Sequence, residues 1–172
     1  MQQRKVSIAV VLVIFCLISV AILPFQKVFT FTETRTANPR VYYIPITENE
    51  KFQIRYTHSI HNSDVFESYQ HAKGNRIQML EMEYEDLAIG MPGYAEEDQT
   101  FIERDGKYVL QFDNHRVIDN FTILIGDLDL DLVFNYEGVE YDLKKDLQRG
   151  KSYLFEIRQL SLYEQWKGVR MK

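Results

Sequence analysis

The chain has 172 residues, of which 45% are hydrophobic, 13% aromatic and 26% charged, a composition that supplies both a packed core and a solvated surface and excludes disorder throughout. Its formal net charge of −5 leaves no basic footprint for nucleic acid and no broad attraction to anionic lipid. The one cysteine, Cys16, excludes an internal disulfide, so burial and hydrogen bonding must hold any exported domain together.

In chain order, Arg4 and Lys5 precede Val6 to Phe25, twenty residues with two serines and no charge. As a helix this run rises roughly 30 Å, the thickness of a bilayer's hydrocarbon core. Residues 1–25 therefore read as a membrane anchor or signal segment, with the span from Val6 to Leu23. The flanking positive charge keeps the N-terminus cytoplasmic and sends the remainder out of the cytoplasm. Two rival readings stay open. A cleaved signal peptide would use the small-x-small run Ser19-Val20-Ala21 and release a secreted domain near Ala21. A buried helix of a soluble fold is opposed by the absence of a polar face. Without the first ~25 residues about 145 remain, the size of one ordinary domain.

Residues 26–40, rich in Thr, Lys and Arg and without clear period, are expected to form a stalk or an opening edge segment. Residues 41–172 then form the extracytoplasmic domain, where alternation with period two dominates. Val41 to Thr47 is a short β-rich run, and Glu48-Asn49-Glu50 supplies a turn. Along Lys51 to His58, Phe52, Ile54, Tyr56 and His58 share one face. Val65 to Tyr69 and Arg76 to Tyr84 flank the turn Lys73-Gly74-Asn75. Glu85 to Gln99, with Gly90, Pro92 and Gly93, is a loop. Asp105-Gly106 joins two further short strands. Leu128, Leu130, Leu132 and Phe134 alternate with Asp127, Asp129, Asp131 and Val133, which predicts a strand that Glu137-Gly138 turns back. The aspartates then line a solvated strand face that discourages edge pairing. Tyr153 to Gln159 is the last strand, and the tail with Trp166 is an edge strand or helix. About nine strands and no sustained helical period indicate an all-β fold, a single antiparallel β-sandwich or barrel-like domain after one N-terminal transmembrane helix. The alternative is α+β, with Lys144 to Arg149 and the tail as brief helices.

The densest polar cluster runs from Arg55 to Asp64, followed by Glu67, where a strand gives way to a loop. Three readings compete. A metal site would draw on His58, His61 and Glu67, with His71 in reserve, because imidazole and carboxylate suit a divalent transition ion. The i, i+3 spacing of the histidines serves a tight turn but not a strand. Nucleophilic catalysis would need Ser59 or Thr57 beside a histidine oriented by Asp64, and no nucleophile elbow is present. The structural reading makes His58 a buried histidine hydrogen-bonded to backbone or to Glu67, with Thr57 and Ser59 capping the loop. No phosphate-binding glycine loop, nucleotide fingerprint or cysteine metal signature occurs.

The run Phe52-Gln53-Ile54-Arg55-Tyr56-Thr57-His58-Ser59-Ile60, then Val65-Phe66-Glu67-Ser68-Tyr69 and Gly90-Met91-Pro92, resembles the DUF1850 family. The likeness covers about Val41 to Leu160. It implies a small exported or membrane-anchored protein, of a kind frequently encoded beside the TAXI type of tripartite ATP-independent periplasmic (TRAP) transporter. The expectation is a non-enzymatic accessory protein that needs no cofactor. Its partners are the membrane and a TRAP transporter permease or its solute-binding protein, not nucleic acid. The alternative is an extracytoplasmic ligand- or metal-binding module using His58, His61 and Glu67. The candidate binding residues are Tyr56, Thr57, His58, Ser59, His61, Glu67, Gly90 and Pro92.

Overall fold

The computed structural model describes residues 12–16, 19–48, 50–87, 90–113 and 116–172. In chain order the first strands are β1 (Gln26–Glu33), β2 (Val41–Pro45), β3 (Lys51–Thr57), β4 (Asp64–Ala72) and β5 (Arg76–Tyr84). Then come β6 (Gln99–Arg104), β7 (Lys107–Phe112), β8 (Val117–Ile118), β9 (Asn120–Leu124), β10 (Leu132–Tyr136) and β11 (Val139–Asp142). A one-turn helix α1 (Leu143–Asp146), strand β12 (Ser152–Leu160), helix α2 (Leu162–Lys167) and strand β13 (Val169–Arg170) complete the chain. One sheet has the order β13-β2-β1-β12-β9 and the other β11-β10-β3-β4-β5-β7-β6, with β8 on β5. Every pairing is antiparallel except that of β13 with β2. The domain is therefore mostly β and sandwich-like.

The inner faces meet in an aromatic core. Phe29 of β1 lies at its centre, with ring centroids 4.8 Å from Phe52, 5.1 Å from Phe134, 5.0 Å from Tyr136 and 5.9 Å from Phe155. Most of these contacts are edge-on, the geometry that the ring quadrupole favours. Three turns expected from their residues form as expected. Gly74-Asn75, Asp105-Gly106 and Glu137-Gly138 all take positive φ, the conformation that a tight hairpin with native twist requires.

Residues 26–33 are not a stalk. They form β1, paired with β2 on one side and β12 on the other, and Val28, Phe29, Thr30 and Phe31 are fully buried. The period is hard to see because both faces of this strand are covered. Phe29 and Phe31 face the core, while Val28 joins Tyr43 and Leu160 in a second buried cluster. A strand buried on both sides loses the alternation that marks a half-buried one. Thr30, on that second face, satisfies its hydroxyl by donating to the Glu156 carbonyl at 3.2 Å. Glu33 is buried too, accepting from the Arg40 N–H at 3.1 Å and from Lys151 at 3.2 Å.

The Asp-Leu alternation also differs. Only Leu132 onward pairs as a strand, and residues 126–131 form a loop. The partner strand β3 has its last register pair with β10 at Tyr56–Leu132, and beyond the one backbone bond from Thr57 to Asp131 β3 has ended, so the residues before Asp131 have no ladder to join. Their alternation sorts side chains without building a strand. Asp127, Asp129 and Asp131 are solvated as expected, though on a loop and not on a strand face, and two of them are paired: Asp131 meets Arg55 at 2.8 Å and Asp129 meets Arg149 at 2.6 Å. The tail supplies both a helix and a short edge strand, and residues 143–146 supply the other brief helix.

At the N-terminal end, residues 12–16 and 19–22 are helical. No helix among the described residues is long and apolar enough to cross a membrane; residues 6–11 and 17–18 of the expected span lie outside them. Asn49, at the centre of the expected turn, lies outside them as well.

Candidate functional site

The alternation of β3 sends Phe52, Ile54 and Tyr56 to the inner face, and that of β4 sends Glu67 and Tyr69 to the same side. The registers Ile54–Glu67 and Phe52–Tyr69 bring them side by side. The pairing of β4 with β5 shifts between Ser68 and Tyr69, an irregularity of the kind that re-aims side chains near sites. Facing these residues across the sandwich is β9, the edge strand of the other sheet. A cleft of about 530 Å³ opens there. Ile54, Tyr56, Glu67, Tyr69 and Met79 form its floor, Ile118, Phe121 and Ile123 one wall, and Leu128, Leu130 and Leu132 its lip.

That lip is the loop of residues 126–131, and both of its ends are tied. The Thr57 N–H donates to the Asp131 carbonyl at 3.1 Å, and Arg55 holds the Asp131 carboxylate. At the other end the Gly150 N–H donates to Ile125 at 2.7 Å, and Lys144 donates to the Leu128 carbonyl at 2.5 Å. Ion pairs open to solvent on at least one side, as the Arg55–Asp131 pair is, are worth about 1 kcal/mol or less. The backbone bonds therefore set the loop, and the charges steer it.

Three charged residues line the cleft, Glu67, Asp131 and Lys144, and of the two carboxyls Glu67 is the buried one. It accepts from the Tyr69 hydroxyl at 2.6 Å and from the Tyr56 hydroxyl at a longer 3.5 Å. Burial raises its pKa above the ordinary carboxylate value, against the lowering effect of those two hydroxyls. Burial, with the nearby Glu67 charge, also raises both tyrosines, so their hydroxyls stay protonated as donors. A carboxylate offers about four lone-pair sites, so acceptor capacity remains.

The expected site residues separate. Tyr56, Thr57 and Glu67 line the cleft. Thr57 donates through its hydroxyl to Asp64 at 3.0 Å, which fixes the corner where β3 ends. His58 leaves the apolar face because the strand stops at Thr57. Its backbone N–H donates to the Ser63 carbonyl at 2.8 Å, and its carbonyl accepts from the Asn62 N–H at 2.9 Å, closing a turn with Asn62 at positive φ. The His58 ring is 5.9 Å from that of His61, and its buried Nδ1 has no hydrogen-bond partner, neither backbone nor Glu67. Ser59 is exposed. His61 faces Asp86 at 3.8 Å, and His71 lies near the far end of β4, 3.8 Å from Glu50. His58, His61 and Glu67 thus do not converge, and among the described residues no group of three or more His, Cys, Asp or Glu could hold a metal ion. Gly90 and Pro92 line a separate hollow on the β5–β7 side, where the Pro92 carbonyl accepts from the Tyr84 hydroxyl.

The family model of DUF1850, a domain of unknown function, matches residues 52–143. The chain belongs to the DUF1850 family. No curated protein and no solved structure matches it. The DUF1850 match runs from Phe52 to Leu143, so it takes in the cleft floor, its wall and its lip. It also takes in all eight candidate residues, and it leaves out β1, β2 and β12, the strands that close the sandwich. Sequence reasoning missed Tyr69 as the partner of Glu67, although the two stand at i and i+2 and share a strand face. It also missed the wall and lip residues, whose only local signal is the leucine alternation.

Proposed function

We propose that this DUF1850 domain is an extracytoplasmic ligand-binding module rather than an enzyme. Its cleft takes a small, mostly apolar molecule through one hydrogen-bond-donating head that meets Glu67. The observation that carries this reading is a buried carboxyl, Glu67, in a mostly apolar cleft whose other charged lining residues, Asp131 and Lys144, are engaged by Arg55 and by the Leu128 carbonyl. Desolvating a carboxyl costs several kcal/mol unless it is fully hydrogen-bonded, and two tyrosine hydroxyls leave it short of that. A ligand donor completes the set, while Ile54, Met79, Phe121 and the lip leucines cover its apolar body. Chemistry of this kind suits concave sites in which a few polar groups fix orientation.

The test is displacement of the neutral dye Nile red from the purified full chain by octylamine, octanol and octanoate. Amine and alcohol compete and octanoate does not, because its carboxylate would face Glu67. Glu67→Gln weakens octylamine by about tenfold, the ~1.4 kcal/mol expected at the lower end for a charge-assisted hydrogen bond. Failure of the dye to bind, or equal competition by octanoate, overturns the proposal.

A second reading concerns where the module works, and one observation favours it. Leu12, Val13, Ile14, Phe15, Val20, Ile22 and Leu23 are all at least half exposed. Seven such side chains left in water forgo on the order of 10 kcal/mol of burial, which lipid would supply. Residues 6–23 then anchor the domain to the outer face of the cell membrane, N-terminus inside. There it can assist a TRAP transporter permease or its solute-binding protein by contact at high effective concentration. Copurification with a permease from native membranes supports this; repeated recovery of a lone monomer counts against it. Intact-mass measurement separates retained anchor from cleavage near Ala21.

A further inference from the structure

Helix α2 wears its amphipathic faces inside out. Leu162, Tyr163 and Trp166 stand at i, i+1 and i+4, which places them on one side of the helix. All three are exposed, Trp166 to 79%. The polar residues turn the other way, onto the protein. Glu164 accepts from the Ser161 N–H at 2.8 Å and from Arg158 at 2.7 Å. The Gln165 carbonyl accepts from the Tyr43 hydroxyl at 3.5 Å, and its side chain donates to the Leu160 carbonyl at 3.5 Å. A reciprocal capping box between Ser161 and Glu164 fixes where the helix starts. The outward stripe is therefore held rigidly away from the core. Lys167 lies beside it, its ammonium 4.6 Å from the centre of the Tyr163 ring.

What covers this stripe is indicated by its position. The Phe25 N–H donates to the Leu160 carbonyl at 3.2 Å, so the apolar N-terminal segment leaves the domain two residues from where α2 begins. Leu23, Phe25 and Leu162 are all exposed, and each lies within two residues of that hydrogen bond's partners. Trp, Tyr and Lys are the side chains that favour the membrane–water interface, with rings at headgroup level and an ammonium that reaches water or lipid phosphate. Charge agrees locally. Residues 161–172 carry three basic side chains and one acidic one, in a chain whose net charge is −5. The acidic one, Glu164, is already spent on Arg158 and the cap.

We infer that α2 is a membrane-interface foot: Leu162, Tyr163 and Trp166 seat among lipid headgroups beside the anchor and set the orientation of the sandwich on the bilayer. This rests on the anchoring of residues 6–23. It goes beyond that reading, because an anchor alone leaves the domain free to swing.

The chain contains one tryptophan, so its fluorescence reports this site alone. The full chain is reconstituted in vesicles of phosphatidylcholine and phosphatidylglycerol, with and without lipids brominated high on the acyl chain. Flotation reports the anchor, and quenching reports the foot. The expected result is flotation, loss of most Trp166 emission with bromolipid and little loss with aqueous iodide. Leu162→Ser with Tyr163→Ser then restores iodide quenching while flotation persists. Vesicles that float with Trp166 open to iodide and untouched by bromolipid overturn the foot and leave the anchor standing. Emission shielded from both quenchers overturns it in favour of a protein contact. Protein that does not float at all overturns both.

Discussion

Truncating Phe29 to alanine removes the ring at the centre of the aromatic core. The side chain is fully buried and touches the rings of Phe52, Phe134, Tyr136 and Phe155, drawn from both sheets. Deleting a buried phenylalanine forfeits the transfer energy of the ring and adds the cost of the cavity, about 4 kcal/mol in total. The four ring contacts argue against the lower end of the usual range, since aromatic pairs add to area burial. A domain of this size has about 5–15 kcal/mol to lose, and the loss corresponds to a fall of on the order of 10 °C in Tm. Urea unfolding of the full chain in detergent, followed by far-ultraviolet circular dichroism, measures the difference. Tyr94→Ala, at a site 76% exposed, is the control and shifts stability by less than about 0.5 kcal/mol. If Phe29→Ala costs under ~1 kcal/mol, residues 26–33 are not a central strand and Phe29 is not at the centre of the core.

Three further outcomes follow from particular contacts. Glu67 has a folded pKa raised from its ordinary 4.5 by burial, so the folded state holds this proton more tightly than the unfolded one. Stability from this group is therefore full below the ordinary value and lost as pH rises from there through the folded pKa. The Tm of the unliganded chain minus that of Glu67→Gln should fall across this window, and a flat difference contradicts the buried setting of Glu67. Ser161→Ala removes the cap of α2 and should cost about 1 kcal/mol in urea unfolding; no measurable change means that the helix is not held by it. At Gly168 an added Cβ would come within 3.1 Å of the Val41 carbonyl and 3.2 Å of the Glu164 carbonyl. Gly168→Ala should therefore destabilise by about 1–2 kcal/mol through overpacking, and a stabilised variant would show that the α2–β2 contact is looser than described.

The hairpins were legible because their cause is local. Gly74-Asn75, Asp105-Gly106 and Glu137-Gly138 are residue pairs that accept positive φ, and the structure places each at a turn with that geometry. The inner face of β3 was equally legible from the alternation of Phe52, Ile54 and Tyr56, as was the proximity of Thr57 and Glu67 to one corner. The same alternation extended one step too far at His58, since periodicity carries no information about where pairing ends. Gly90 and Pro92 stood out as turn-formers; nothing local announces that their hollow is separate from the cleft around Glu67.

From residue order alone came the twenty uncharged residues at the N-terminal end, the β-rich character, the turns and the family. Which strands are central was decided in three dimensions, because Phe29 is buried by rings more than a hundred residues away along the chain. The cleft was decided there too. Its floor comes from β3, β4 and β5 and its lip from residues 126–132, and only sheet pairing brings such distant segments within contact. Hydrophobic pattern tells each residue which side to face, while packing alone determines what it finds there.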